Sequence, residues 1–167
     1  RRVVEAIETV VIPGLATRRD PLLGCPTVSV GTIHGGTQVT VVPDACEIEV
    51  DRRLINGESR EAVAAEIVQA VGEVEHEVTE FYPPLGEDPQ GPLATRVAGA
   101  CRAALGEAKF VTAPWASDAG VFRAAGIPSV LIGPGSAAQA HRRDEYIDLG
   151  ELERGIRVYE AIIRAAG

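Results

Sequence analysis

Apolar side chains at Val3, Val4, Ile7, Val10 and Val11 recur at the spacing of a helix with one buried face, and Pro13-Gly14 is expected to end it. Residues 27–33 and 37–42, rich in valine and threonine around His34-Gly35-Gly36, predict two strands about a glycine turn, and Pro43-Asp44 then breaks the run. Next, Cys46, Ile48 and Val50 alternate with Glu47, Glu49 and Asp51, which predicts a strand with one buried and one wet face. Arg53 falls on the wet, acidic side. Across residues 59–71, Val63, Ile67 and Val71 share a helical face with Ala64 and Val68 beside it, Ser59 stands as N-cap, and Gly72 lies past the end. "EHEVTEFY" reads as a last strand. Residues 1–82 therefore predict a small α+β unit with one antiparallel sheet and helices on one face.

"YPPLGEDPQGP", residues 82–92, has the proline, glycine and acid content of a connection, and we place a domain boundary between residues 82 and 83. Pro92 then suits a helix start, and Leu93, Val97, Cys101 and Leu105 recur every four residues until Gly106. Residues 109–112 predict a short strand, and Ser117-Asp118 open a short helix that Gly126 and Pro128 end. "SVLIG", residues 129–133, is a continuous apolar run of the kind found in strands covered on both faces. Asp148 and Glu151 resemble a capping box, followed by a closing helix whose apolar face is Leu149, Leu152, Ile156, Tyr159 and Ile163. Residues 83–167 thus predict an α/β segment in the order helix, strand, helix, strand, helix.

Composition narrows the partners. The 16 basic and 24 acidic residues give a net charge of −8, and no basic cluster exceeds the pairs Arg52-Arg53 and Arg142-Arg143, which weighs against nucleic acid or an anionic membrane surface. No apolar run approaches the roughly 18 to 20 residues of a membrane span, and residues 1–5 lack the apolar core of a signal peptide. Cys25, Cys46 and Cys101 are odd in number and far apart, which disfavours a disulfide framework and fits a reducing cytoplasm. Methionine is absent and the first residues already read as a helix in progress, so the chain is expected to be a segment of a longer protein.

The densest chemistry lies in "GPGSAAQAHRRDEYIDL", residues 133–149. A neutral imidazole such as that of His141 is the commonest metal ligand near neutral pH, and it follows a predicted buried strand, where ligands gather in open α/β sheets. The competing reading is a solvated loop histidine, because a zinc site needs three or four ligands. Asp144 and Glu145 carry oxygen donors, but acids three and four residues after a histidine more often form surface charge or cap a helix, and they stand at most as support behind a ligand. Gly133, Gly135 and Ser136 form either an anion-binding turn or an ordinary tight turn. Asp118 reads as capping chemistry before it reads as a substrate contact, and Arg53 has Glu49 and Asp51 as ready ion-pair partners. His34 and His76 stand alone. No nucleophile elbow, P-loop or dinucleotide-binding fingerprint is present.

Taken together, "VGTIHGGTQVTVVPDACEIEVDRRLINGE", "ASDAGVFRAAGIPSVLIGPGS" and "AHRRDEYIDLGEL" resemble, in order, the C-terminal portion of the zinc-dependent aminoacylase, acetylornithine deacetylase, succinyl-diaminopimelate desuccinylase and carboxypeptidase G family. The resemblance implies a zinc-peptidase-like α/β catalytic domain interrupted by a lid, or dimerisation, domain, with residues 1–82 in the lid and 83–167 in the returning catalytic part. It implies that His141 ligates one of two divalent metal ions, zinc ahead of cobalt or manganese, and that Arg53 grips a substrate carboxylate. Gly133, Gly135 and Ser136 would form the turn near the cleft, and Thr40 stands where the family has asparagine; Asp118 and Glu145 stay, from the residue reading, as candidates to support the site from behind. The other metal ligands and the glutamate general base are expected before residue 1. The implied activity is metal-dependent hydrolysis of an N-acyl amino acid or small peptide by a homodimer paired through residues 1–82. The chain alone is expected to be inactive and metal-free. A reading from another class is a non-catalytic dimerisation module.

Overall fold

The computed structural model describes residues 1–166 and divides into two compact units, Arg1–Pro84 and Leu85–Gly167. The division falls inside the proline-rich stretch that the composition marks as a connection.

The first unit begins with a helix that passes through its proline instead of ending there. Helix α1 (Arg2–Ala6) runs into a π-helical turn, Ile7–Val11, and then into α2 (Ile12–Ala16). Pro13 has no N–H to donate and its ring would crowd the carbonyl four residues back in a regular helix. The π turn loosens that register, with the Ile12 N–H reaching the Ile7 carbonyl five residues earlier. Ile7, Val11 and Leu15 recur every four residues and are almost fully buried, with Val28 completing their cluster.

Strands β1 (Thr27–Gly35) and β2 (Cys46–Arg53) form a two-stranded antiparallel sheet in the register Thr27↔Arg53 to Gly35↔Cys46, with an irregularity between Val30 and Thr32. Ile48 and Val50 are half-buried and Glu47, Glu49 and Asp51 exposed, as their alternation predicts, whereas Cys46 is exposed. The expected strand at residues 37–42 is absent. That segment belongs to the connection between β1 and β2, where Val39 is 103% exposed and Val41 and Val42 also face solvent. A strand needs a ladder partner; β1 pairs with β2, and residues 37–42 pair with neither.

Helix α3 (Arg60–Val71) matches its predicted limits. Ser59 Oγ accepts the Ala62 N–H at 3.2 Å and Gly72 continues with a positive φ of 84°. Ala70 and Val71 pack with Val30 and Val50 against the Ile7 cluster, so both helical segments cover one face of the sheet. Residues 75–82, expected as a strand, run without strand pairing.

In the second unit α4 (Pro92–Leu105) ends on a left-handed Gly106. Its most buried side chains are Ala94, Ala98 and Ala100, not the Leu93, Val97, Cys101 and Leu105 face. It packs against α6 (Leu149–Ala166), whose buried positions are Gly155 and Val158. The alanines give α4 a small-residue buried face, Gly155 of α6 lies against Pro134, and the larger stripe of α6, from Leu149 to Ile163, stays exposed. Asp148 caps this helix as expected, its carboxylate accepting the Gly150 N–H at 2.8 Å, but Glu151 pairs with Arg154 instead of closing a capping box. Between these helices lies α5 (Asp118–Ala124), where Ser117 makes no side-chain cap bond. Residues 109–112 and 129–133 form no strand, and the second unit has no sheet among the described residues. A strand of a parallel sheet needs neighbours on its edges, and none is supplied here.

No described helix is long and apolar enough to cross a membrane. Cys25 and Cys46 are free and exposed, and Cys101 is free and half-buried.

Candidate functional site

The 132–148 loop is held at its start by one face of α6. The Tyr159 hydroxyl donates to the Ile132 carbonyl at 3.0 Å, and one turn earlier Pro134 lies against Gly155, where a Cβ would come within 2.8 Å of the proline ring. Gly135 needs its glycine, with φ at 92° and Ile147 carbons 3.5 Å from the place of a Cβ. Ser136 Oγ accepts the Ala138 N–H at 3.3 Å and starts a 3-10 turn, Ala137–Gln139. Gly133, Gly135 and Ser136 are exposed.

A second turn follows immediately. Ala140 has φ −58° and ψ 138°, His141 has φ 61°, and the Arg142 N–H returns to the Gln139 carbonyl at 3.4 Å. These values describe a type II turn with His141 at its third position. The His141 N–H donates to Glu145 Oε2 at 3.0 Å, while its imidazole is exposed and makes no hydrogen bond or ion pair among the described residues. Glu145 thus meets the histidine at its backbone. Asp118 is exposed at the first position of α5.

Arg53 and Thr40 belong to the first unit. Arg53 donates through Nε to Asp51 Oδ2 at 2.9 Å and through Nη2 to the same oxygen at 2.7 Å, the ion pair that the acidic strand face predicts. Thr40 is exposed in the connection between β1 and β2, next to a turn closed by the Val41 N–H on the Gln38 carbonyl at 3.1 Å. His34 is exposed on β1, and His76 Nδ1 lies 3.1 Å from the Val74 carbonyl.

The strongest electrostatics of the first unit lie one residue before Arg53 and are not marked by any local motif. The Arg52 side chain, 6% exposed, meets Glu58 Oε1 at 2.6 Å and Glu66 Oε2 at 3.8 Å. Arg18 binds Glu66 at 2.6 Å and Glu58 at 3.1 Å, so two guanidinium groups share two carboxylates. Glu66, through its hydrogen bond and charge, raises the Arg18 pKa against the opposing effect of burial. Glu58 also accepts the Ile55 N–H at 2.9 Å, and Arg52 donates to the Arg53 carbonyl. The strand end that carries Arg53 is thereby anchored. Signals for this network exist only as scattered charges 6 to 48 residues apart along the chain.

Among the described residues, no three histidine, cysteine, aspartate or glutamate groups come together to hold a metal ion. His141 offers one exposed nitrogen donor, which suits one corner of a metal site and no more.

The profile of the peptidase family M20/M25/M40 matches residues 10–165, and the chain belongs to that family. A probable carboxypeptidase of Aspergillus niger is 33% identical over 86% of this chain and 33% of its own length. One from Aspergillus flavus is 31% identical over 89% of this chain and 35% of its own. The acetylornithine deacetylase of Aliivibrio salmonicida is 26% identical over 83% and 37%. The chain spans about a third of the length of these relatives.

Proposed function

We propose that this chain is part of a metal-dependent hydrolase that cleaves the amide bond of an N-acyl amino acid or small peptide in the cytoplasm. Residues 1–82 act as a lid that pairs two subunits, and residues 83–167 return to complete the catalytic domain. Membership of a peptidase family and relatives named carboxypeptidase and acetylornithine deacetylase support the reaction class. The observation that carries the reading is His141, an exposed imidazole on a backbone turn built for glycine.

In this reading His141 holds one of two divalent ions, zinc ahead of cobalt or manganese, through a neutral ring nitrogen. Bound metal of this kind polarises an amide carbonyl and acidifies water. The remaining ligands and the general base belong to the part of the longer relatives that this chain does not span, so the chain alone is inactive and metal-free. Arg53 takes the substrate carboxylate in exchange for Asp51, since its planar fork suits either. Thr40 contributes a single hydroxyl near the substrate. Gly133, Gly135 and Ser136 line the approach with backbone groups, and Asp118 stands behind it.

The test is hydrolysis of N-acyl amino acids by the full-length protein, with loss of activity on chelation and in His141→Ala. Activity untouched by His141→Ala would sink the ligand assignment.

A second reading, a dimerisation module without catalysis, draws on the groove between the first helix and β1, lined by Val4, Ile7, Ile12, Val28, Val30 and Ile33. Solution mass measured together with zinc content separates the two. A full-length protein that dimerises and never retains zinc favours the module.

A further inference from the structure

Every left-handed backbone position among the described residues is a glycine except one, and that one is His141 at φ 61°. In the type II turn formed by residues 139–142 the third position needs a positive φ, which glycine adopts freely and other residues adopt at about 1–2 kcal/mol because Cβ approaches the next carbonyl. The chain supplies glycine for such conformations at Gly106, Gly126 and Gly135. A histidine kept at this place is strain retained, and retained strain gathers where a side chain must be aimed.

The turn itself does not use the N–H of its third residue. Here that N–H has its own acceptor, Glu145 Oε2 at 3.0 Å, a carboxylate four residues further on. The carboxylate draws residues 141–145 into a closed loop around the strained residue.

We propose that Glu145 is the positioning residue of His141: its carboxylate grips the His141 amide, holds the backbone left-handed, and so presents the imidazole in one direction before metal arrives. The inference rests on the reading of His141 as a ligand and adds how it is held. Glu145 acts through the backbone of the ligand and touches neither metal nor substrate.

The test measures zinc affinity of the full-length protein by competition with a chromophoric chelator, for wild type, His141→Ala, Glu145→Ala and Glu145→Gln. Amide hydrogen exchange at His141 in the wild-type protein is measured alongside. Loss of a support behind a metal ligand typically weakens affinity 10- to 100-fold, and that loss is expected for Glu145→Ala. Glu145→Gln keeps an oxygen acceptor and is expected to hold zinc as wild type does, and the His141 amide is expected to exchange slowly. Wild-type affinity in Glu145→Ala beside a loss in His141→Ala would overturn the positioning role and leave the ligand reading intact. Equal losses in Glu145→Ala and Glu145→Gln would make the charge, not the backbone bond, responsible, and would also overturn it. An unprotected His141 amide overturns it even if Glu145→Ala fails to fold. Unchanged affinity in His141→Ala would remove the ligand reading and this inference together.

Discussion

Pro134 occupies the space that a side chain on Gly155 would need, with only 2.8 Å between a Cβ built on Gly155 and the proline Cβ. The contact joins the turn before His141 to the middle of α6, and the Tyr159 hydroxyl on Ile132 fastens the same turn one helical step later. Gly155→Ala is expected to destabilise the protein by about 1–3 kcal/mol, because neither the ring nor the helix can yield cheaply. Gly99 in α4 has open space where a Cβ would go, so Gly99→Ala should stabilise by up to about 1 kcal/mol through helix propensity. Thermal unfolding of the two variants should shift in opposite directions.

Arg52 is the most buried member of the pair of arginines that shares Glu58 and Glu66. Arg52→Ala leaves two poorly solvated carboxylates with Arg18 alone, and a cost of about 3 kcal/mol is expected. Arg52→Met with Glu58→Gln, which removes one charge of each sign and leaves Arg18 paired with Glu66 at 2.6 Å, should recover much of that loss. Urea midpoints of the single and combined variants check this.

Asp20 gives stability a pH dependence of known sign. Its carboxylate accepts the Leu23 and Leu22 N–H groups, each at 2.8 Å, and the Asn56 amide at 2.9 Å. The Leu23 bond first, then those of Leu22 and Asn56, lower its pKa below the ordinary 3.8 against the effect of burial. The unfolded chain therefore protonates first as pH falls. Stabilisation is complete above the unfolded value and is lost as pH drops through the lower folded one. Asp20→Asn should be less stable near neutrality and less sensitive to acid, as denaturant midpoints across that range will show.

His141→Gly should stabilise the fold while removing the side chain. Relief of about 1–2 kcal/mol of left-handed strain outweighs the roughly 0.5–1 kcal/mol entropic cost of glycine, for a net gain of several tenths. A higher melting temperature in His141→Gly than in wild type is the expected result, and a lower one would contradict the strain.

How much of this was legible in the sequence depends on how far each signal reaches along the chain. Ser59 and Gly72 bracket α3 because capping is settled within one turn. The alternation of β2 was readable for the same reason, and it placed Arg53 beside Asp51 correctly. Pro13 misled, because a π turn absorbs its missing donor. Residues 37–42 misled because β-branched content marks capacity to pair and does not supply a partner. For α6 the strongest apolar stripe was not the buried one: Gly155, which lies against Pro134, and Val158 are buried, while the side chains from Leu149 to Ile163 on the stripe face solvent. Of the candidate site, the turn glycines and His141 were visible as residue types. The left-handed φ of His141 and its bond to Glu145 are backbone facts with no side-chain pattern to announce them.

The unpaired run at residues 129–133 has a practical consequence. Its sequence is uncharged and rich in β-formers, and Leu131 is 55% exposed with Ile132 close behind. A run without strand pairing that also carries exposed apolar side chains invites edge-to-edge association between molecules. A polypeptide limited to these residues should become turbid on concentration, and a charge such as Leu131→Lys should keep it in solution.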